Sequence, residues 1–239
     1  RQIEHSKDEL ITNVSHDIRT PLTSIIGYLG LIEDQQYHSQ EELLKYTHTA
    51  FVKARQMKTL ADDLFEYTKV RQSTTPLNLS TIDLKQLLEQ LAVSFELESQ
   101  KKQMVISTDF ETGPIKMEAD SQKLVRVFNN LITNAFKYGT GGGQLILKAH
   151  HVSETMIEVV VANDGQPIPK ESLKKLFDRF YRVESSRSKE TGGSGLGLAI
   201  AQSIVELHHG KIRAESNENW TQFIIELPIR QENKTTAKK

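Results

Sequence analysis

The sequence predicts an antiparallel helical hairpin followed by an α/β sandwich, a mixed sheet with helices on one face. Three observations predict it. Apolar residues recur at steps of three and four over the first 71 residues, interrupted once by a polar connector. A stretch rich in Ser, Thr and Pro at 71–79 ends that pattern. Beyond it, short β-rich runs alternate with longer amphipathic stretches, the signature of strands covered by helices.

The first helix is predicted from about 3 to 33, where Val14, Ile18, Leu22, Ile25, Leu29 and Ile32 form one stripe. Residues 34–39 are the connector, and Ser39 is placed to cap the next helix. That second helix is predicted from about 41 to 71. Leu43, Thr47, Ala50, Ala54, Met57, Ala61, Leu64 and Thr68 make a heptad seam with small residues, widened by Leu44, Phe51 and Phe65. One hairpin cannot bury such broad stripes. Two copies forming a four-helix bundle can, so a homodimer is expected.

In the second half, a strand at 81–84 leads into a helix at 84–100, with strands next at 104–108 and 116–119. A helix at 120–138 turns Leu124, Val127, Phe128, Leu131, Ile132 and Ala135 inward and is broken by the glycines at 139 and 141–143. Strands at 144–150 and 156–162 pair. A helix at 195–208 ends at Gly210, and strands at 211–216 and 222–227 complete the sheet. The polar stretch 165–194 reads as a functional lid or as disorder. The expected organisation is therefore hairpin 1–72, linker 73–79, sandwich 80–231 and frayed tail 232–239.

Composition narrows the function. Thirty basic residues against 31 acidic ones give a net charge of −1, which offers no argument for a nucleic-acid partner. Cysteine is absent, which excludes disulfides, thiolate metal sites and cysteine nucleophiles. No apolar run approaches the ~20 residues needed to span a bilayer. The chain starts at Arg1 rather than Met, so a fragment is expected, with any membrane segment lying outside it.

Four stretches carry candidate chemistry. In Asn13-Val14-Ser15-His16-Asp17-Ile18-Arg19-Thr20-Pro21-Leu22, His16 lies two residues from both Val14 and Ile18. That is about 200° of helical rotation, so the imidazole projects away from the apolar stripe, beside a carboxylate. It is either a displayed nucleophile or an ordinary solvated histidine. On the helix at 120–138, Asn130, Asn134, Lys137 and Tyr138 share one edge. An Asn carbonyl can ligate Mg²⁺ and a Lys can take a phosphate; a polar helix end is the plainer alternative. Asp164-Gly165 closes the strand Val159–Asn163 with an acid able to accept a hydrogen bond from an exocyclic amine, or with a simple turn. Gly192-Gly193-Ser194-Gly195-Leu196-Gly197-Leu198 opens a helix as a phosphate-cradling turn would, without Rossmann or P-loop spacing.

The order of these pieces resembles the cytoplasmic catalytic core of two-component sensor histidine kinases, over nearly the whole chain. His16 with Asp17, Arg19, Thr20 and Pro21 is similar to the family's phosphoacceptor box, and 130–138 to its asparagine box. Asp164-Gly165 is similar to the first glycine box, Phe177-Asp178-Arg179-Phe180-Tyr181-Arg182 to the phenylalanine box, and 193–198 to the second glycine box. The resemblance implies an ATP-binding second domain and transfer of the γ-phosphoryl group to His16, with Asp17 fixing the imidazole tautomer. Transfer would continue to an aspartate on a response regulator receiver domain, with Ser24, Gly27, Tyr28 and Leu31 as its docking surface. Thr20 would orient water when the phosphorylated regulator is hydrolysed. Asn134 would ligate Mg²⁺ with support from Asn130, Lys137 would neutralise phosphate, Tyr138 would flank the base, and Asp164 with Gly165 would read the adenine amine. Arg182 would approach the γ-phosphate, and Gly193, Gly195, Leu196 and Gly197 would cradle phosphates. The family also implies the cytoplasmic portion of a membrane-anchored protein. Residues 23–29 and 185–188 are similar to sensors of Gram-positive cell-envelope stress, the vancomycin-resistance type among them.

The sequence departs from the family at Pro167, where a second glycine is usual, and at His209-Gly210, where Gly-Gly is common. Pro21 leaves the Asp17 carbonyl unpaired and implies a bend near His16. Related ATPases of the gyrase, chaperone and mismatch-repair types carry a glutamate where this chain has Asn130. An amide cannot act as a base toward water, so transfer to a protein side chain is favoured over hydrolysis. A nucleotide-binding scaffold without kinase activity is the other rival reading. His150-His151 and His208-His209 lack an accompanying acidic cluster, so no metal is expected there. Trp220 is expected to pack between the last strands.

Overall fold

The structure, a computed structural model, describes residues 2–71, 76–139, 141–183 and 194–231. Two long antiparallel helices come first, α1 (Gln2–Glu33) and α2 (Gln40–Arg71). Ser39 caps α2, its hydroxyl accepting from the Glu42 amide at 3.1 Å, while the Glu42 carboxylate accepts from the His38 amide at 2.7 Å. These two bonds make a variant of the capping box, with His38 rather than Ser39 donating to Glu42, and fix where the hairpin turns back. Near the turn, Tyr28 and Tyr46 pack with ring centroids 5.5 Å apart. α1 runs continuously through Pro21. The hydroxyls of Thr20, Thr23 and Ser24 donate to the carbonyls four residues back, binding this stretch into one helix.

The face that α2 buries differs from the predicted seam. Ala50, Leu60, Asp63, Tyr67 and Val70 are buried, whereas Ala54, Ala61 and Thr68 of the seam are exposed. The lower half of α2 packs against the second half of the chain, a neighbour that heptad counting does not see. The remaining apolar surface stays uncovered: Ile26, Leu44, Phe51 and Phe65 are 58–72% exposed.

After α2, strand β1 (Ser80–Asp83) leads into α3 (Leu84–Ser94) and α4 (Glu96–Lys101). The single helix predicted over 84–100 is therefore two. It breaks at Phe95, whose ring leaves the helix path to pack on Phe136 at 5.8 Å. Then come β2 (Val105–Phe110), β3 (Lys116–Ala119), α5 (Ser121–Tyr138), β4 (Gln144–His151), β5 (Met156–Asn163), the short α6 (Lys170–Leu173), α7 (Gly197–Leu207), β6 (Lys211–Ser216) and β7 (Thr221–Pro228). The five-stranded sheet has order β2-β4-β5-β7-β6, with β2–β4 parallel and the other pairs antiparallel. β1 and β3 leave this sheet and form their own antiparallel ribbon.

Alternation makes the main sheet one-sided. Leu145, Leu147 and Ala149 of β4, Ile157, Val159 and Val161 of β5, and Phe223, Ile225 and Leu227 of β7 face α5 and α7 and are buried. On the opposite face Val160, Ala162 and Ile224 gather under Trp220 and Ile146, so Trp220 does pack as expected. α5 buries Leu124, Val127, Phe128, Leu131, Ile132, Ala135 and Phe136.

Two aspartates tie the layers together. Asp83 caps α3, accepting from the Lys85 and Gln86 amides, and also accepts from the Ile115 amide at 3.2 Å. Asp120 caps α5 through the Lys123 amide and also accepts from the Asn78 amide at 3.0 Å. The Asp120 N–H donates to Nε2 of His208 at 3.1 Å, and His208 Nδ1 lies 2.8 Å from the Ile204 carbonyl. His208 therefore has Nδ1–H as donor and Nε2 as acceptor, a neutral ring spent on linking α7 to the start of α5. His209 takes the left-handed conformation at φ 57°, so it performs the helix-ending turn predicted for Gly210. His150 pairs with Glu158, and His151 with Glu111. Among the described residues the chain has no helix long and apolar enough to cross a membrane.

Burial pulls the His208 imidazole below its ordinary value of 6.5. The unfolded chain thus binds a proton that the folded chain refuses, and stability falls as pH drops below about 6.5. We expect His208→Gln to lower stability by ~1–3 kcal/mol at neutral pH. It should also flatten the pH dependence of stability just below that value, measured by urea unfolding at a series of pH values.

Candidate active site and nucleotide site

α1 holds His16 outward. Its side chain is 78% exposed, and Nδ1 lies 3.4 Å from Asp17 Oδ1, a long contact that leaves Nε2 facing solvent. Helix periodicity predicts this display, because Val14 on the opposite side is buried. The Thr20 hydroxyl donates to the His16 carbonyl at 3.2 Å, and its lone pairs remain for another group. Of the expected docking surface, Ser24 bonds back to Thr20 and Tyr28 packs on Tyr46.

α5 supplies the polar edge. Its apolar face is locked against the sheet, so the edge carrying Asn130, Asn134 and Lys137 has a fixed direction. Asn130 Nδ2 donates to the Gly197 carbonyl at 2.9 Å, which ties the start of α7 to this edge. Asn130 thereby positions α7 through its amide nitrogen, and this bond does not use Oδ1. Asn134 is half-buried and makes no side-chain hydrogen bond among the described residues. Burial lowers the pKa of the Lys137 ammonium, opposed by the nearby Asp63 carboxylate. The charges of Arg182, Glu98 and Lys102 also act on Lys137, which gathers these residues at one end of α5. Tyr138 is half-buried at the last position of the helix.

The start of α7 is open in the way anion binding requires. No side chain caps it, so first-turn N–H groups lack helical partners. Gly195 precedes it at φ 66°, and a Cβ there would lie 2.8 Å from the Phe180 Cα. Only glycine fits this crossing, where the Phe180 amide donates to the Gly195 carbonyl at 2.9 Å. The phenylalanine box and the second glycine box thus meet backbone to backbone. Leu196, expected to cradle phosphate, has a fully buried side chain, and its N–H donates to the Ser194 hydroxyl at 3.1 Å. Gly193 lies outside the described residues, as do 184–192 of the predicted lid; within 165–183 the predicted loop contains α6 and buries Leu176.

Asp164 comes directly after β5, and its carboxylate is anchored before any ligand arrives. Oδ1 accepts from the Gln144 amide at 2.7 Å and Oδ2 from the Gly143 amide at 3.0 Å. Each oxygen keeps a second lone-pair direction. Asp164 and Gly165 line an open cleft of about 370 Å³ with Gly141, Gly142, Gln144, Gln166, Glu218, Asn219 and Trp220. Trp220 therefore lines this cleft as well as packing. Asn134, Lys137 and Tyr138 do not line it, so this cleft does not bring the residue expected to read the adenine amine together with those expected to meet metal, phosphate and base.

Four residues outside the sequence motifs, Asp63, Glu66, Tyr67 and Arg126, join the two halves. Arg126, one turn before Asn130 on α5, donates to Asp63 and pairs with Glu66 at 2.7 Å. Asp63 also accepts from the Ser194 hydroxyl at 2.5 Å. Arg179 lies over the Tyr67 ring at 6.0 Å. The four-residue step from Arg126 to Asn130 is the available sequence signal.

Comparison with known proteins matches these two halves separately. Residues 6–73 fit the His Kinase A (phospho-acceptor) domain, and residues 119–231 fit the histidine kinase-, DNA gyrase B- and HSP90-like ATPase family. The chain belongs to the sensor histidine kinase family. The sensor protein VanS of Enterococcus faecium is 39% identical over 94% of the chain, which spans 58% of that relative. The sensor protein kinase WalK of Staphylococcus aureus is 33% identical over 95% of the chain, which spans 55% of it. The chain thus spans less than two thirds of these curated relatives. Among solved structures, the Acinetobacter baumannii histidine kinase AdeS superposes with TM-score 0.73 at 25% identity, covering 90% of this chain and 98% of that one. Histidine kinase ThkA, solved in complex with response regulator protein TrrA, gives TM-score 0.77 at 28% identity, covering 95% and 63%.

The anchoring of Asp164 in this sensor histidine kinase chain depends on Gly142. A Cβ there would overlap both the carbonyl oxygen and Oδ1 of Asp164. Because displacement of a binding group by ~1 Å can cost as much as ~100-fold, we expect Gly142→Ala to weaken ADP binding at least ~10-fold, read by titration calorimetry.

Proposed function

We propose that this chain is the catalytic core of a sensor histidine kinase that binds ATP with Mg²⁺, phosphorylates His16, and passes the phosphoryl group to an aspartate of a response regulator. The hairpin, 1–72, carries the acceptor, and the sandwich, 80–231, holds the nucleotide. The observation that carries this reading is the display of His16, with Nδ1 toward Asp17 and Nε2 outward. Nε2 attacks the γ-phosphorus as the bond to the ADP oxygen breaks. Asp17 then relieves the ring of its Nδ1 proton as positive charge develops, a contact that tightens on approach of the substrate.

The nucleotide groups divide the work. The open N-terminus of α7, beside Gly195 and Gly197, faces phosphate, and Asn130 holds that helix in place. Lys137 and Arg182 supply positive charge, Tyr138 flanks the base, and Asp164 accepts the adenine amine. Asn134 fits Mg²⁺: it offers an amide oxygen that no protein group uses among the described residues, and this ion takes few protein oxygens, completing its shell from phosphate and water. The ion, when bound, offsets phosphate charge. Catalysis is then chiefly positioning and charge stabilisation. Thr20, one turn beyond His16, orients water for hydrolysis of the phosphorylated regulator. The complex of ThkA with its regulator supports the partner class. Membrane attachment, in this reading, rests on segments outside these 239 residues.

Incubation with γ-labelled ATP and Mg²⁺ tests the reaction. Acid-labile, alkali-stable label is expected on the wild type and none on His16→Gln; label that persists in the variant would refute His16 as acceptor. The exposed apolar face of the hairpin also supports a homodimer. Sedimentation should show a dimer for the wild type and a shift to monomer for the pair Ile26→Glu and Phe51→Glu, since each charge must be desolvated at that interface.

A further inference from the structure

Asp63 is a buried carboxylate on α2 that the proposed reaction does not use. Burying a carboxylate is costly unless it is paired, and its pairing is informative. Arg126 donates to Oδ1, and the Ser194 hydroxyl donates to Oδ2 at 2.5 Å. Its charge also acts on Lys137 more strongly than those of Arg182, Glu98 or Lys102. Arg126 and Lys137 lie on the α5 edge that carries Asn130 and Asn134, and Ser194 begins the turn into α7. The hairpin thus sends one negative group onto the polar edge assigned to phosphate.

The hydrogen-bond chain has a further step. Ser194, with its proton directed to Asp63, accepts the Leu196 N–H at 3.1 Å. An amide of the turn expected to cradle phosphate is therefore consumed inside the protein. We propose that Asp63 is an internal anion that competes with the nucleotide phosphates: it holds the Ser194–Leu196 turn closed, and nucleotide binding releases it. Asp63 rides on the helix packed against the His16 helix, so hairpin docking and nucleotide binding oppose one another through this carboxylate. Such a coupling is reciprocal.

The inference rests on reading the second half as a nucleotide site, and one experiment separates the two. ADP with Mg²⁺ is titrated calorimetrically into the full chain as wild type, Asp63→Asn, Ser194→Ala and the double variant, with thermal unfolding followed in parallel. Wild type that fails to bind ADP overturns the nucleotide reading and this inference with it. If wild type binds, Asp63→Asn is expected to bind about fivefold tighter, and the double variant no tighter than the better single one. A folded Asp63→Asn that binds equally or more weakly overturns the internal anion while leaving the nucleotide site standing. Should Asp63→Asn not fold, Ser194→Ala decides by the same criterion, since a purely structural ion pair gives no reason for its removal to tighten ADP binding.

Discussion

The burial of one face of α5 is the constraint on which the site depends. Phe128, Leu131 and Ile132 are fully buried between the sheet and the neighbouring helices. Rotating the helix by a single residue, about 100°, would drive Asn130 or Lys137 into that core and expose Phe128 or Leu131. The apolar face therefore fixes the polar edge, and Asn130, Asn134 and Lys137 inherit their direction from packing. The cap at Asp120 fixes where the helix starts, and its amide bond to His208 fixes α7 relative to that start. Asn130 makes the second tie between the two helices, at the opposite end of α7. Two tethers prevent α7 from sliding, so its open N-terminus stays against the edge.

The hairpin is built on a different principle. It has too little partner surface to bury its stripes, and it leaves large apolar side chains in solvent along one face while presenting His16 on another. His16 is thus fully displayed, whereas Lys137 and Asn134 are half-buried. The contacts from Asp63, Glu66 and Tyr67 to Arg126, Ser194 and Arg179 tie these two differently built halves together.

Much of this is legible in the sequence, and the misses have common physical causes. Helix and strand positions emerge from apolar period, and the helix cap at Ser39 from residue type. The display of His16 needs only the 3.6-residue turn. What fails is whatever depends on a distant partner. The predicted seam of α2 assumes that its only neighbours are other bundle helices, and the sandwich claims Leu60, Tyr67 and Val70 instead. Phe95 looks helical by propensity, yet packing on Phe136 breaks the helix there. Gly210 looks like the helix stop, yet His209 takes the positive φ. At the site, the motif identifies Asn130, but the bond from its amide nitrogen to the start of α7 spans 67 residues and leaves no local pattern. Arg126 and Asp63 escape because an ion pair between residues 63 apart leaves no local pattern.

The crossing of Phe180 with Gly195 bears on how such a chain can diversify. Their shared backbone hydrogen bond brings the two ends of the intervening segment together whatever lies between them. Loop closure grows only slowly in cost, about 0.6 kcal/mol for each doubling of length. Apart from Arg182 and Ser194, residues can therefore be inserted, deleted or exchanged between these two points while the entry to α7 keeps its register. Natural variation between related proteins can accumulate at this position without retuning the helices on either side.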